Sequence, residues 1–240
     1  MISRMILASK ASLALLSLMI CADARAQCAS YSSTDIANAI NSSPTASAAL
    51  KATACTWGGA GKSESGGNTC ASNGSNFGVL QLSSGNLAGT GYTAQQYLAL
   101  PLQQQVNIWA TQAGNSGAGS GSVGAISTAA ASGQSFGSTP ATQGMAAACV
   151  QFGSVICKND LAALNAGQPC GGANPVTAKY SVPQSSWTED GNGQTICSWG
   201  SNIQANINSC TAAPCPAGSA GAPAATTSPV APGLLPSAGA

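Results

Sequence analysis

The sequence predicts a mainly α (α+β) fold: a helical domain, a disulfide-stapled Cys-rich C-terminal region and a disordered tail. Three observations predict it. Apolar residues recur at helical spacing in several segments between residues 36 and 166. The chain contains 10 cysteines, and three of those in its last third lie among paired glycines and prolines. Residues 211–240 are mostly Ala, Pro, Ser, Thr and Gly without charge, a composition that buries too little apolar surface to fold.

Residues 1–26 have the pattern of a secretory signal peptide. Arg4 and Lys10 precede or begin an apolar stretch over residues 11–20, and Ala24-Arg25-Ala26 fits an A-x-A cleavage site. The apolar stretch is too short to span a bilayer, and no later stretch resembles a membrane helix. We therefore expect export to the periplasm or the extracellular space, without stable membrane insertion.

The charge of the remaining chain excludes several classes of function. It holds four lysines, no arginine, no histidine and five acidic residues. Nucleic-acid binding needs clustered basic side chains, so nucleic acid is not an expected partner. Without histidine or C-x-x-C pairs, the sequence predicts neither a metal site nor a cofactor. A neutral, polar ligand such as a sugar polymer suits this composition better.

The cysteines of an exported chain are expected to form disulfides. Eight lie between Cys28 and Cys210, enough for four bridges, and the tail residue Cys215 is the expected odd one. Sequence alone leaves 105 connectivities open for eight cysteines. Because Cys55 and Cys70 flank the glycine-rich segment around Glu64, we expect these two to pair.

In the N-terminal half, the pattern predicts two helices, a loop and a short apolar segment. The first helix begins near Asp35 and stops at residues 41–44. The second covers residues 45–57 and is ended by three glycines, Gly58, Gly59 and Gly61. Residues 62–76 are expected to form a loop, and residues 77–82 a strand or a buried turn.

In the C-terminal half, Pro101 should begin a helix that carries Trp109 into the core. A hinge or loop is expected at 114–124, and helices at 141–156 and 159–166, with Asp160 supporting the start of the second. Residues 167–210 suggest short strands, with a hairpin turn at 190–193. The predicted organisation is therefore a signal peptide (1–26), a catalytic domain (27–166), a Cys-rich extension packed on it (167–210) and a tail (211–240).

Glu64 is the strongest candidate for a reactive group. It is one of only two glutamates, and it lies beside a glycine turn in Glu64-Ser65-Gly66-Gly67-Asn68. A carboxylic acid with a raised pKa can protonate the leaving oxygen of a glycosidic bond. Most glycosidases add a second carboxylate about 5 to 9 Å away, but no other acid is near in sequence. A cleavage reaction that needs one acid is therefore favoured.

This segment resembles the catalytic motif E-S-G-x-N of lytic transglycosylases and the related goose-type lysozymes. In that family G-L-M-Q follows some seventeen residues on, and here Gln81 lies 17 residues after Glu64 within Gly78-Val79-Leu80-Gln81. Residues 162–167, Ala-Ala-Leu-Asn-Ala-Gly, resemble the family's A-A-Y-N-A-G, and Tyr180 fits its usual ending. The likeness covers roughly residues 30–180.

The resemblance implies a lysozyme-like helical fold and cleavage of peptidoglycan glycan strands, with anhydro-sugar formation or lysozyme-type hydrolysis as the outcome. It makes Glu64 the acid/base and assigns substrate contacts to Ser65, Asn68, Gln81, Asn165 and Tyr180. Gln81 could instead satisfy loop amides, and Asn165 could cap a helix end. A secretion or conjugation machine is a candidate partner. The alternative is a non-enzymatic cell-wall or surface-binding protein on a degenerate lysozyme-like scaffold.

Overall fold

The computed structural model describes residues 28–115, 121–177 and 180–212. The predicted signal peptide, Cys215 and all but the first two residues of the predicted tail lie outside these ranges. The described part is mainly helical, as predicted. None of its helices combines the length and the apolar character that crossing a membrane requires.

Nine α-helices, a π-helical turn, a 3-10 turn and two short hairpins make up the described residues. The α-helices are α1 (Ser33–Ser42), α2 (Ala48–Ala52), α3 (Ala54–Ser65), α4 (Ser84–Ala88), α5 (Ala94–Leu98), α6 (Leu102–Trp109), α7 (Gly121–Ala131), α8 (Gln143–Asn165) and α9 (Ile196–Asn208). The π-helical turn (Ala110–Gly114) continues α6, and the 3-10 turn is Gln184–Ser186. The antiparallel strand pairs are β1 (Asn76–Phe77) with β2 (Leu82–Ser83) and β3 (Ser135–Phe136) with β4 (Thr139–Pro140).

Helix α3 lies at the centre of the fold, against α1, α8 and α9. The prediction that glycines end this helix was wrong, because Gly58, Gly59 and Gly61 lie inside it. A Cβ on Gly59 would lie 2.8 Å from the backbone nitrogen of Ile207 in α9, and one on Gly61 would lie 2.9 Å from the carbonyl oxygen of Val79. These glycines lower the intrinsic helix propensity of α3, but they allow the backbones of neighbouring elements to approach it closely.

Helix α8 is continuous except at one residue. Instead of two helices separated near residue 158, residues 143–165 are helical apart from Gly153, whose φ of 82° and ψ of 171° are non-helical. The chain changes direction there, which a residue with a side chain would resist. The prediction of a loop over residues 114–124 was wrong at its C-terminal end, because α7 begins at Gly121.

The C-terminal region contributes a core helix rather than short strands. Residues 167–177 and 180–212 contain no strand, and α9 packs against α3 and α8 with Ile196 and Ile203 fully buried. Asp160 does not support the start of its own helix. It lies buried within α8, and its Oδ2 accepts a hydrogen bond of 2.9 Å from the Ile196 backbone N–H at the start of α9. Burial raises the pKa of Asp160 to about 7.

Four disulfides join the eight cysteines of the described residues, the number expected. The predicted pairing of Cys55 with Cys70 was wrong: the bridges are Cys28–Cys70, Cys55–Cys210, Cys149–Cys157 and Cys170–Cys197. Proximity in sequence favoured the wrong pair, whereas α9 brings Cys210 to the start of α3. By the chain-entropy model, closing the 155-residue separation of Cys55 and Cys210 stabilises the fold by about 5 kcal/mol.

Replacing Gly58 with alanine should destabilise the protein, because a Cβ at this position would overlap the carbonyl oxygen of Ser33 in α1. We expect Gly58→Ala to lower the free energy of unfolding by about 1–3 kcal/mol, although alanine is the better helix former. Urea unfolding measures this. Gly85→Ala in α4 is the matched control, since its Cβ would meet no atom within 4 Å and should leave stability equal or slightly higher. Unchanged stability of Gly58→Ala would contradict the close approach of α1 and α3.

Candidate active site

A cleft of about 180 Å³ opens between α3, the β1–β2 hairpin, the end of α6 and the first half of α8. Its lining is apolar or carries uncharged amides and a hydroxyl, except for one carboxylic acid, Glu64. The lining residues are Trp57, Ala60, Gly61, Glu64, Asn73, Asn76, Leu80, Gln81, Leu82, Ser83, Asn86, Trp109, Ala113, Gly114, Ala147, Val150 and Gln151.

Glu64 lies in the last turn of α3, half-buried in the wall of this cleft. Burial disfavours the charged carboxylate and raises the pKa of Glu64 to about 8. Desolvation alone causes this rise, and no group among the described residues forms a hydrogen bond or an ion pair with the Glu64 carboxyl. The side chain is therefore protonated at neutral pH and has its proton available to a molecule in the cleft.

The end of α3 is fixed by backbone contacts that involve the residues after Glu64. The Ser65 hydroxyl lies 2.7 Å from the Gly61 carbonyl oxygen and 2.8 Å from that of Val79, so it joins the helix to the hairpin. Gly66 ends the helix in the left-handed region, with φ of 66°. Gly67 follows with φ of 76°, and its carbonyl accepts a 3.0 Å hydrogen bond from the Tyr31 N–H. These contacts leave Glu64 little freedom to move relative to the hairpin.

The β1–β2 hairpin forms the wall that carries Gln81. The fully buried side chain of Gln105 supports it, accepting from the Val79 N–H at 3.1 Å and donating to the Thr69 carbonyl at 2.9 Å. Gln81 has a φ of 48°, rare for a residue with a side chain. Its Nε2 donates to the Gly78 carbonyl at 2.8 Å, which leaves Oε1 as an acceptor at the cleft.

The structure brings together only part of the predicted site. Glu64 and Gln81 both line the cleft, whereas Ser65 and Asn68 lie at the end of α3 in backbone-supporting roles. The Asn68 Oδ1 accepts a 2.7 Å hydrogen bond from the Cys70 N–H, which is a local turn contact. Asn165, exposed at the end of α8, and Tyr180, 65% exposed, are not among the residues that line this cleft, and their contact with substrate stays a prediction.

Several cleft residues were not predicted from the sequence. Gln151 lies on the α8 side of the cleft, two residues before the break at Gly153. No local pattern in the sequence indicates this position. Trp109 was expected in the core; it is buried there, 5.5 Å from Trp57 between ring centroids, and its ring also lines the cleft.

The other acidic residues have roles elsewhere. Asp35 caps α1, where its Oδ2 accepts from the Ser32 N–H at 3.0 Å, and Asp160 contacts the start of α9. Asp190 accepts from the backbone of Asn192 at 2.8 Å in the turn before α9. None of these lines the cleft, and neither does Glu189. Within the described residues Glu64 is thus the only carboxyl at the cleft, and no three Cys, Asp or Glu side chains cluster as metal ligands.

Comparison of the chain with protein-family models, curated proteins and solved structures gives no match. The geometry and chemistry of this cleft are therefore the basis on which a function can be proposed.

The raised pKa of Glu64 predicts a specific dependence of stability on pH. Between the ordinary carboxyl pKa of 4.5 and about 8, the folded state holds a proton that the unfolded state has released. The free energy of unfolding should therefore fall as pH rises through this range, by at most about 1.4 kcal/mol per pH unit from this group. Glu64→Gln cannot ionise, so it should gain stability relative to wild type up to about pH 8.

Urea unfolding of both proteins from pH 4 to 9 measures this difference. Asp160, whose pKa is also raised, contributes equally to both proteins, so the difference between them reports on Glu64 alone. A difference that stays constant over the range would contradict the protonated state of Glu64 at neutral pH.

Proposed function

We propose that the protein cleaves the glycan strands of peptidoglycan as a lytic transglycosylase, with Glu64 as its single acid/base. The observation that carries the proposal is the half-buried Glu64, whose carboxyl has a raised pKa and faces a cleft without a second carboxylate among the described residues. A raised pKa keeps the acid protonated until the substrate arrives, as general acid catalysis of glycosidic cleavage requires. The motif around Glu64 supports the same assignment.

The proposed reaction uses the Glu64 carboxyl twice, first as an acid and then as a base. Glu64 donates its proton to the glycosidic oxygen, and the bond from that oxygen to the anomeric carbon breaks. The Glu64 carboxylate then takes the proton of a hydroxyl on the same sugar, whose oxygen bonds to the anomeric carbon and closes an anhydro ring. The substrate's own N-acetyl group stabilises the positive charge that develops. One carbon–oxygen bond is broken and one is formed, no water is consumed, and Glu64 ends protonated.

Intramolecular attack explains how one carboxyl can suffice. A hydroxyl already attached to the reacting sugar has a very high effective concentration, on the order of 10⁵ M or more when well aligned. In most glycosidases that hydrolyse their substrate, a second carboxylate holds and deprotonates the attacking water or acts as the nucleophile. The remaining lining suits a sugar chain, since Gln81, Asn76 and Asn86 offer uncharged amides beside the Trp57 and Trp109 rings.

The setting of the proposed reaction is outside the cytoplasm, where peptidoglycan lies. The signal-like segment and the four disulfides favour such an exported protein. A secretion or conjugation machine that needs a local opening in the wall would be a partner for this activity. The alternative function is binding of the wall without cleavage. A cleft-facing acid with a raised pKa favours the enzyme, since a binding protein has no use for a protonated carboxyl that burial makes costly to ionise.

Replacing Glu64 with glutamine should abolish cleavage and preserve the fold. The amide keeps the shape of the side chain but has no transferable proton, so we expect the rate to fall at least about a hundredfold. Loss of turbidity of purified peptidoglycan measures the activity, and circular dichroism checks the fold. Asp35→Asn at the α1 cap is the matched control, because it removes a carboxyl outside the cleft and should retain activity. Equal activity of Glu64→Gln and wild type would exclude Glu64 as the acid.

The products should carry anhydro ends. If the reacting sugar closes on itself, the fragment that carries this sugar is lighter by one water than the same fragment released by hydrolysis. Mass spectrometry of digested sacculi distinguishes the two outcomes. Products with only reducing ends would show lysozyme-type hydrolysis, and intact sacculi after prolonged incubation would favour the wall-binding alternative.

A further inference from the structure

The break in α8 lies beside the cleft and is closed by a disulfide. Cys149 and Cys157 are eight residues apart, a separation of about 12 Å along an uninterrupted helix. Their Cα atoms lie only 5.1 Å apart, because the chain turns at Gly153. Two residues of the cleft lining, Val150 and Gln151, lie within the segment that this bridge closes. The bridge therefore constrains the place where α8 meets the cleft.

The orientation of the Gln151 side chain is fixed by α9. The indole N–H of Trp199 donates a hydrogen bond to Gln151 Oε1. An indole N–H can only donate, so it must face the amide oxygen, and the amide NH₂ remains. No described residue accepts a hydrogen bond from this NH₂, and Gln151 is half-buried in the cleft wall. Gln151 thus presents an unpartnered donor to the cleft, whereas Gln81 presents an acceptor.

We propose that Gln151 is a glycan-binding residue that donates a hydrogen bond to a neutral oxygen of the sugar, and that Trp199 and the Cys149–Cys157 bridge are its positioning residues. The identity of the ligand as glycan rests on the proposed function. An amide donor suits a hydroxyl or acetamido oxygen, and both groups are uncharged like the rest of the lining.

We expect the Cys149–Cys157 disulfide to form during folding and to remain oxidised afterwards. Cys149 and Cys157 are 2% and 1% exposed, so reductants in solvent reach them only when the fold opens. Its formation during oxidative folding fixes the helix break, and full affinity for the glycan follows from that step. Without the bridge, the segment that carries Gln151 keeps its contact with Trp199 but loses the constraint at the helix break.

The test measures binding apart from cleavage. All variants are made in the Glu64→Gln background, and calorimetry measures their affinity for a peptide-free tetrasaccharide of alternating N-acetylglucosamine and N-acetylmuramic acid. Gln151→Met keeps the length of the side chain and removes the donor, so affinity should fall about threefold to tenfold. Trp199→Phe keeps the ring but frees the amide and should cause a smaller loss. The double variant should bind no more weakly than Gln151→Met, since Trp199 acts only through Gln151.

The effect of the Cys149–Cys157 disulfide on glycan affinity is tested with the Cys28–Cys70 disulfide as the control. The paired change Cys149→Ala with Cys157→Ala should lower affinity at least about threefold, and adding Gln151→Met should lower it no further. Cys28→Ala with Cys70→Ala is the control: it opens a longer loop and should cost more stability, but affinity should remain as in the parent. Circular dichroism and melting temperature confirm that each variant folds.

The outcomes distinguish a failure of the Gln151 inference from a failure of the proposed function. If wild type cleaves peptidoglycan while Gln151→Met binds the tetrasaccharide as its parent does, the inference is overturned and the proposed function stands. If wild type cleaves nothing but the Gln151-dependent binding is observed, the inference stands and the proposed activity is lost. Independent, multiplying effects of Trp199→Phe and Gln151→Met would overturn the positioning role of Trp199. Absence of both binding and cleavage would overturn both proposals.

Discussion

The absence of a side chain at three glycines of α3, Gly58, Gly59 and Gly61, is the constraint on which the fold and the cleft depend. Three glycines within one turn of this helix allow α1, α9 and the β1–β2 hairpin to approach its backbone closely. A side chain on any of them would separate the elements, and the wall that carries Val79 would move away from Glu64. The same device recurs where α8 crosses α9, since a Cβ on Gly200 would lie 2.8 Å from the Met145 nitrogen. Close packing of backbones thus compensates for a chain poor in large aromatic residues.

A second consequence of this packing is that the Glu64 carboxyl has no hydrogen-bonding or charged neighbour among the described residues. The hairpin, the aromatic rings of Trp57 and Trp109 and the α3 backbone displace water from the carboxyl without offering it a hydrogen bond. Such a group costs stability when it ionises, and groups with strongly shifted pKa values concentrate at functional sites. The strained φ of Gln81 fits this interpretation, because strain of this kind concentrates at sites that bind or react.

Sequence patterns predicted a mainly helical fold and singled out Glu64 and Gln81, which both line the cleft. Local signals sufficed to group these two residues because their positions depend on short segments, and their roles stay predictions. The glycines of α3 were misjudged because propensity describes an isolated helix, whereas here the packing of neighbouring backbones decides. Cys210 and Gln151 reach their partners only through α9 and the break in α8. Such contacts between distant segments have no local signature, so proximity in sequence favoured the pair Cys55–Cys70, and Gln151 was not predicted.

The two bridges at the ends of the described chain also determine how it would bear mechanical tension. Thr211 donates a 3.0 Å hydrogen bond to the Thr34 hydroxyl, so the C-terminal end of α9 lies beside the start of α1. The shortest covalent path from Cys28 to Cys210 crosses the Cys28–Cys70 bridge, residues 70 back to 55, and the Cys55–Cys210 bridge. A pull on both ends would therefore extend only that short segment. It would load α3 directly, so force on the ends and the position of Glu64 are mechanically coupled.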